Sequence, residues 1–142
     1  MATVWFQHEI QLPSRSRGCY LIIGEIEKIQ DIKKVKIGLC NIFLKHTSAS
    51  LCLNESYDPD VRTDMEMMLD RLAPENAPYQ HTAEGADDMP AHVKNALLGS
   101  SVTIPIKNGQ LVTGTWQSLW FCEHRRSKHS RQVVVTIQGQ TQ

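Results

Sequence analysis

The chain predicts an α+β fold, a two-layer, mainly antiparallel β-sheet sandwich with a few helices, folded as a single domain over residues 1–142. Three observations carry this. Most apolar runs are short, with period-two alternation or apolar residues on both faces, as strands require. Only one long segment, Pro59 to Leu72, keeps a helical period with start signals in place. A length of 142 residues suits one core, since domains typically run to about 100–150 residues.

Val4 to Leu12 reads as a strand with Val4, Phe6, His8, Ile10 and Leu12 on one face, closed by the turn-rich segment 13–18. His8 alternates with apolar neighbours, so it is read as a half-buried strand histidine. Residues 22–32 carry Ile22, Ile26, Ile29 and Ile32 at helical spacing and predict a short amphipathic helix. Ile37 to Leu44 is a strand with Ile37, Leu39 and Phe43 on one side and Cys40, Ile42 and Leu44 on the other, so both faces need cover. Leu51 to Leu53 reads as a short continuation. Asp58 as N-cap, Pro59 in the first helical position and the stripe Val61, Met65, Met68, Leu69 and Leu72 define the main helix.

Residues 73–91 have no repeating pattern, and loops longer than about 12–15 residues in compact domains are usually functional or disordered. A short helix from His92 to Leu98, ended by Gly99, is expected next. Three apolar runs follow, Val102–Ile106, Leu111–Cys122 and Val133–Ile137, the first two joined by an Asn108-Gly109 hairpin signal. So small a domain has little material to cover so many two-sided strands, which predicts burial against neighbouring subunits.

Fifteen basic and fifteen acidic side chains cancel, so no long-range field draws in nucleic acid or an anionic membrane. The N-terminal segment lacks a signal-peptide pattern, and no stretch approaches the ~18 apolar residues of a membrane span; a cytoplasmic protein is expected. Four scattered cysteines, without a Cys-x-x-Cys pair, fit reduced thiols better than zinc-finger or redox chemistry.

The chemistry-bearing residues gather in two places. His46 ends a buried strand and is followed by Thr47, Ser48, Ser50, Asn54 and Glu55, while residues 79–92 hold His81, Glu84, Asp87, Asp88 and His92. Histidine is the commonest metal ligand, and a catalytic zinc takes three protein ligands with one position open. His46, His81 and His92 offer such a set, although their spacings of thirty-five and eleven match no short zinc signature. Glu55, Glu84, Asp87 and Asp88 are open to ligation, orientation of an imidazole, proton transfer or helix capping. Thr47, Ser48 and Arg131 are candidates for holding phosphate oxygens, against a plain turn for the first two and a solvated basic tip around 123–131.

On these residues the chain resembles the YjbQ-type family, known also as the secondary thiamine-phosphate synthase family. The resemblance rests on His46-Thr47-Ser48-Ala49, Asn54-Glu55 with Asp58-Pro59 and Asp64, Tyr79-Gln80-His81, Glu84-Gly85-Ala86-Asp87-Asp88, Ala91-His92, Gly114-Thr115-Trp116-Gln117, and Arg131 before Val133-Val134-Val135. Ser127-Lys128-His129 departs from the Gly-Pro-Arg turn common in that family. The resemblance implies a homotrimer with a metal site held by His46, His81 and His92; for the divalent ion itself, imidazoles favour zinc while the nearby carboxylates admit magnesium or manganese. It also implies a thiamine-phosphate synthase-like activity.

The resulting expectation is a metal-dependent enzyme acting on a phosphorylated small molecule. Glu55, Glu84 and Asp87 would be its catalytic carboxylates, and Thr47, Ser48, Asn54, Asp88 and Arg131 would bind phosphate or substrate. The alternative is a non-enzymatic trimeric module that binds a metal or small ligand.

Overall fold

Period-two alternation decides which strands share a layer. In the computed structural model, which describes residues 2–142, β1 (Thr3–Gln11), β8 (Gln132–Thr141), β3 (Val35–Leu44), β5 (Ser101–Lys107) and β6 (Gln110–Leu111) form one sheet in the order β1-β8-β3-β5-β6. A smaller sheet runs β2 (Gly18–Leu21), β7 (Gln117–Glu123), β4 (Ala49–Glu55). All pairings are antiparallel. The α+β sandwich is therefore as expected.

The core lies between the sheets. Cys40, Ile42 and Leu44 of β3, Val133, Val135 and Ile137 of β8, and Ile104 and Ile106 of β5 face Leu51, Leu119 and Phe121 of the smaller sheet. Burying each larger aliphatic or aromatic side chain contributes roughly 1.5–3 kcal/mol. The opposite face of β3 is uncovered: Ile37 is 61 % exposed and Leu39 and Phe43 are 47 % each, with Trp5 of β1 at 63 %. Near its start β3 carries a bulge between Val35 and Ile37, just before Gly38 pairs with Gly139. A Cβ at Gly38 would lie 2.1 Å from the Gln138 carbonyl, so the strands approach more closely than a side chain allows.

Helix α2 (Pro59–Leu72) packs on β2, and α3 (Asp88–Leu98) packs on β4. Asp58 caps α2 by accepting the Asp60 N–H at 2.9 Å, a contact worth about 1 kcal/mol. The expected Asn108-Gly109 hairpin joins β5 to β6, with both residues at positive φ, 49° and 76°. No helix among the described residues is long and apolar enough to cross a membrane.

Four expectations need correction. The segment 22–32 is not one helix: α1 covers Ile23–Glu27, Ile29 is extended, and a 3-10 turn spans Gln30–Lys34. All four isoleucines are nonetheless buried, because the bend wraps them around one end of the core. Leu51–Leu53 belongs to β4 in the other sheet rather than continuing β3. The run Leu111–Cys122 breaks before β7, leaving Trp116 60 % exposed and edge-on to Tyr57. Helix α3 begins at Asp88, not His92; Pro90 falls in its first turn, where a missing N–H costs nothing.

Candidate metal centre

The earlier start of α3 puts Asp88 and His92 four residues apart on one helical face. His81 arrives from the preceding loop. Asp88 Oδ2 lies 2.7 Å from His81 Nε2 and 3.0 Å from His92 Nε2, and one donor atom from each residue falls within 4.8 Å of the other two. Arg125 steadies the carboxylate from behind, Nη1 donating to Asp88 Oδ1 at 2.8 Å and Nε to Asp87 Oδ2 at 3.1 Å. Asp88 is buried, its side chain 2 % exposed, whereas His81 is 43 % exposed. Burial opposes ionisation of Asp88, but His81, His92 and Arg125 outweigh it and hold the carboxyl below its usual range.

The tautomer of His92 follows from its other nitrogen. Nδ1 lies 2.8 Å from the Thr47 carbonyl oxygen, which only accepts, so Nδ1 carries the proton. In the neutral ring, Nε2 then presents a lone pair to Asp88 Oδ2, acceptor against acceptor at 3.0 Å. A second proton or a cation resolves that conflict. Backbone-anchored Nδ1–H with Nε2 free is also how ligating histidines are held.

His46 is built into a different cluster. Its Nε2 accepts the Gln132 backbone N–H at 2.9 Å, which occupies the lone pair a metal would need. Burial, then Arg131, lowers its pKa below the ordinary histidine value. Arg131, 5 % exposed, clasps the fully buried Glu123 through Nε at 2.7 Å and Nη2 at 2.6 Å, and donates to Ser48 Oγ at 2.8 Å. Next to it, His124 bonds Ser50 Oγ through Nε2 at 2.8 Å, while its buried Nδ1 has no partner among the described residues. Burial, then Lys94, Arg17 and Arg131, pushes the pKa of His124 down to about 3.

Residues 8–140 match the family model described as UPF0047 protein YjbQ-like. The UPF0047 protein YjbQ of Escherichia coli O157:H7 is 46 % identical over 138 residues, covering 96 % of this chain and all of the relative. The chain belongs to the YjbQ/UPF0047 family. A UPF0047 protein of Synechocystis is 40 % identical over 142 residues, with 98 % of this chain and 97 % of that protein covered. Among solved structures, an uncharacterised YjbQ/UPF0047 protein of Clostridium acetobutylicum superposes with a TM-score of 0.80 at 34 % identity, covering 93 % of this chain and 98 % of that one. A YbjQ-like protein of unknown function from Sulfolobus solfataricus reaches 0.87 at 23 % identity, covering 98 % and 100 %, and speaks to the fold alone.

In this YjbQ-type chain, then, the structure brings together His81, His92 and Asp88, while His46 joins Arg131 and Ser48. Glu55 and Asn54 stand at the other end of β4, opposite Gln117 and Ser118, whereas Ala49 opposes Glu123; at about 3.3 Å per residue that separation is ~20 Å. Glu55 there accepts the Asp58 N–H, and Asn54 Oδ1 accepts the Glu55 N–H. Glu84 is exposed on the loop and lends Arg125 its carbonyl. Asp87 takes the Arg126 N–H and the Arg125 guanidinium, so it fixes the β7–β8 connection. Thr47 contributes its carbonyl to His92.

Sequence reasoning missed Arg125 and Glu123, which it left in a solvated basic tip, and gave Asp88 to substrate rather than to the histidines. The Asp88–His92 interval of four was the available signal, hidden by placing the helix start too late.

Proposed function

We propose that this protein holds a divalent metal ion with His81, Asp88 and His92 and acts on a phosphorylated small molecule. The observation that carries the reading is the protonated Nδ1 of His92, which leaves Nε2 and Asp88 Oδ2 facing each other as two acceptors beside His81 Nε2. Two imidazoles and a carboxylate suit zinc, with manganese or magnesium as the harder alternatives. Bound there, the ion would supply Lewis acidity toward a phosphoryl oxygen, as metal centres with an open position do.

The chain's own groups have separable tasks. Arg125 orients Asp88, and Asp87 orients Arg125. Glu84, exposed between His81 and Asp88, is the carboxylate free to carry a proton. Thr47 keeps an exposed hydroxyl beside His92 for a phosphate oxygen. The geometry does not favour Ser48 and Arg131 in that role, because a phosphate would have to displace buried Glu123. Formation of thiamine phosphate is the specific reaction the resemblance implies; its main demand is electrostatic help for a departing diphosphate.

Self-association is part of this proposal. The uncovered outer face, Trp5, Ile37, Leu39 and Phe43, would be shared between copies in a homotrimer. A cytoplasmic setting belongs to it as well, since all four cysteines are free thiols.

Elemental analysis of freshly purified protein, with turnover of phosphorylated substrates measured before and after chelation, tests the reading. About one metal per chain with metal-dependent turnover supports it; neither metal nor metal-stimulated turnover overturns it. Bound metal without turnover on any phosphorylated substrate favours the non-enzymatic module. Leu39→Lys combined with Phe43→Lys should reduce the trimer to monomers by light scattering, and an unchanged mass would remove that face from the interface.

A further inference from the structure

The smaller sheet carries three of the four cysteines on the face that packs against α2. Cys19 of β2 and Cys122 of β7 are direct cross-strand partners. Cys52 of β4 is paired with Trp120, so it stands on the same face but diagonal to Cys122.

The hydrogen-bond pattern decides which thiols can join. Ile22 N–H donates to the Leu119 carbonyl at 3.0 Å, which makes that pair a hydrogen-bonded one. Such pairs alternate along an antiparallel ladder, so Cys19 and Cys122, three residues along, form a non-hydrogen-bonded pair. There the Cα atoms are ~4.5 Å apart and the side chains closest. A disulfide needs a Cα separation of about 4.4–6.8 Å. The diagonal from Cys52 to Cys122 is ~7–8 Å and falls outside that window. Cys40 lies on β3 in the other sheet.

Access is asymmetric. Cys122 is fully buried, and its thiol is held well above the ordinary value by its neighbours Cys19 and Cys52 and by burial. Cys19 is half-buried and lines a surface groove with Pro59, Arg62, Thr63, Glu66 and Met67. Its Sγ donates to Glu66 Oε2 at 3.7 Å. Arg62 also lines the groove, its Nη1 buried and without a hydrogen-bond partner among the described residues.

We propose that Cys19 and Cys122 are a dithiol modification site, oxidised to one intrachain disulfide by a low-molecular-weight disulfide that enters through this groove. The Cys19 thiol gives up its proton and attacks one sulfur of the reagent, expelling the first small thiol. Cys122 then gives up its proton and attacks the Cys19 sulfur of the mixed disulfide, expelling the second. One reagent S–S bond and two protein S–H bonds become one protein S–S bond and two small-molecule S–H bonds; the protein loses two electrons and the reagent gains them. The product staples β2 to β7 one residue before Glu123.

The test treats the reduced full-length chain with glutathione disulfide in the absence of oxygen, followed by intact mass, thiol alkylation and peptide mapping. The expected product is two hydrogens lighter than the reduced chain, with two fewer alkylatable thiols and a mapped Cys19–Cys122 bond. Cys52→Ser should give the same product. Cys122→Ser should stop as a stable mixed disulfide on Cys19. A lasting mixed disulfide on the unaltered chain, a bond that includes Cys52, or reaction only after unfolding in urea overturns the proposal.

Discussion

Two clusters of nearly the same composition behave in opposite ways. His46, Glu123 and Arg131 form a closed set with no lone pair left for a cation: Arg131 satisfies Glu123 and Ser48, and the Gln132 N–H takes the lone pair of His46 Nε2, while Nδ1 faces Arg131 Nη1 at 3.5 Å. His81, His92, Asp88 and Arg125 form an open set with one acceptor too many, since the Thr47 carbonyl fixes the His92 proton on the far nitrogen. The difference teaches that histidine, carboxylate and guanidinium together do not mark a ligand site. Counting protons against lone pairs is what sets the two clusters apart.

The largest expected effect falls on the closed set. Arg131→Met leaves Glu123 charged and fully buried without its partner, which should destabilise the fold by about 3–5 kcal/mol, read from urea unfolding. Metal affinity of the remaining folded protein should be unchanged. If Arg131→Met folds as stably as the unaltered chain, the closed set does not hold the fold together and the contrast collapses.

In the open set the ordering reverses. His92→Ala and Asp88→Asn should each weaken zinc affinity by more than about 100-fold in calorimetric titration, since even groups that only support ligands are worth 10–100-fold. His46→Ala should change affinity little. Equal losses from all three would return His46 to the ligand set and erase the distinction.

Acid titration separates the clusters again. His124 is held neutral, with its pKa pushed down to about 3, against about 6.5 in an unfolded chain. Between those values the unfolded state binds the extra proton. Stability therefore falls as pH drops from about 6.5 toward 3, with a slope approaching 1.4 kcal/mol per pH unit, roughly. His46, also lowered, acts in the same direction just below 6.5. Asp88 works lower down: its folded pKa is depressed, so its contribution is intact above the unfolded value of about 3.9 and is lost as pH falls through the folded one. His124→Gln should flatten the unfolding midpoint between pH 6.5 and 4.5; an unaltered slope would remove His124 as its source.

Much of the sandwich was legible because its signals are local. Alternation along residues 37–44 gave the correct inner and outer sets, Asp58-Pro59 gave the start of α2, and Asn108-Gly109 gave a turn at positive φ. Signals failed where one pattern serves two structures. Isoleucines at 22, 26, 29 and 32 are buried by a broken helix as well as by a continuous one. The site was half legible: His81, Asp88 and His92 were singled out, but joining His46 to them needed the direction of its lone pair. That direction is set by a Gln132 N–H eighty-six residues away, which no local pattern records.

The smallest effects come from two adjacent residues, one serving each cluster. Ser48 Oγ accepts from Arg131 at 2.8 Å in a buried setting, so Ser48→Ala should cost about 1.5–3 kcal/mol of stability, as hydrogen bonds to charged groups do, and leave zinc affinity alone. Thr47 meets His92 through its carbonyl rather than its exposed hydroxyl, so Thr47→Ala should change stability by less than about 0.5 kcal/mol and leave zinc affinity alone too. Substrate turnover then discriminates: if the Thr47 hydroxyl holds a phosphate oxygen, Thr47→Ala raises KM at unchanged metal content. A Thr47→Ala variant that instead loses zinc would mean that the hydroxyl, not the carbonyl, reaches the centre, and the proton count that separates open from closed would have to be redone.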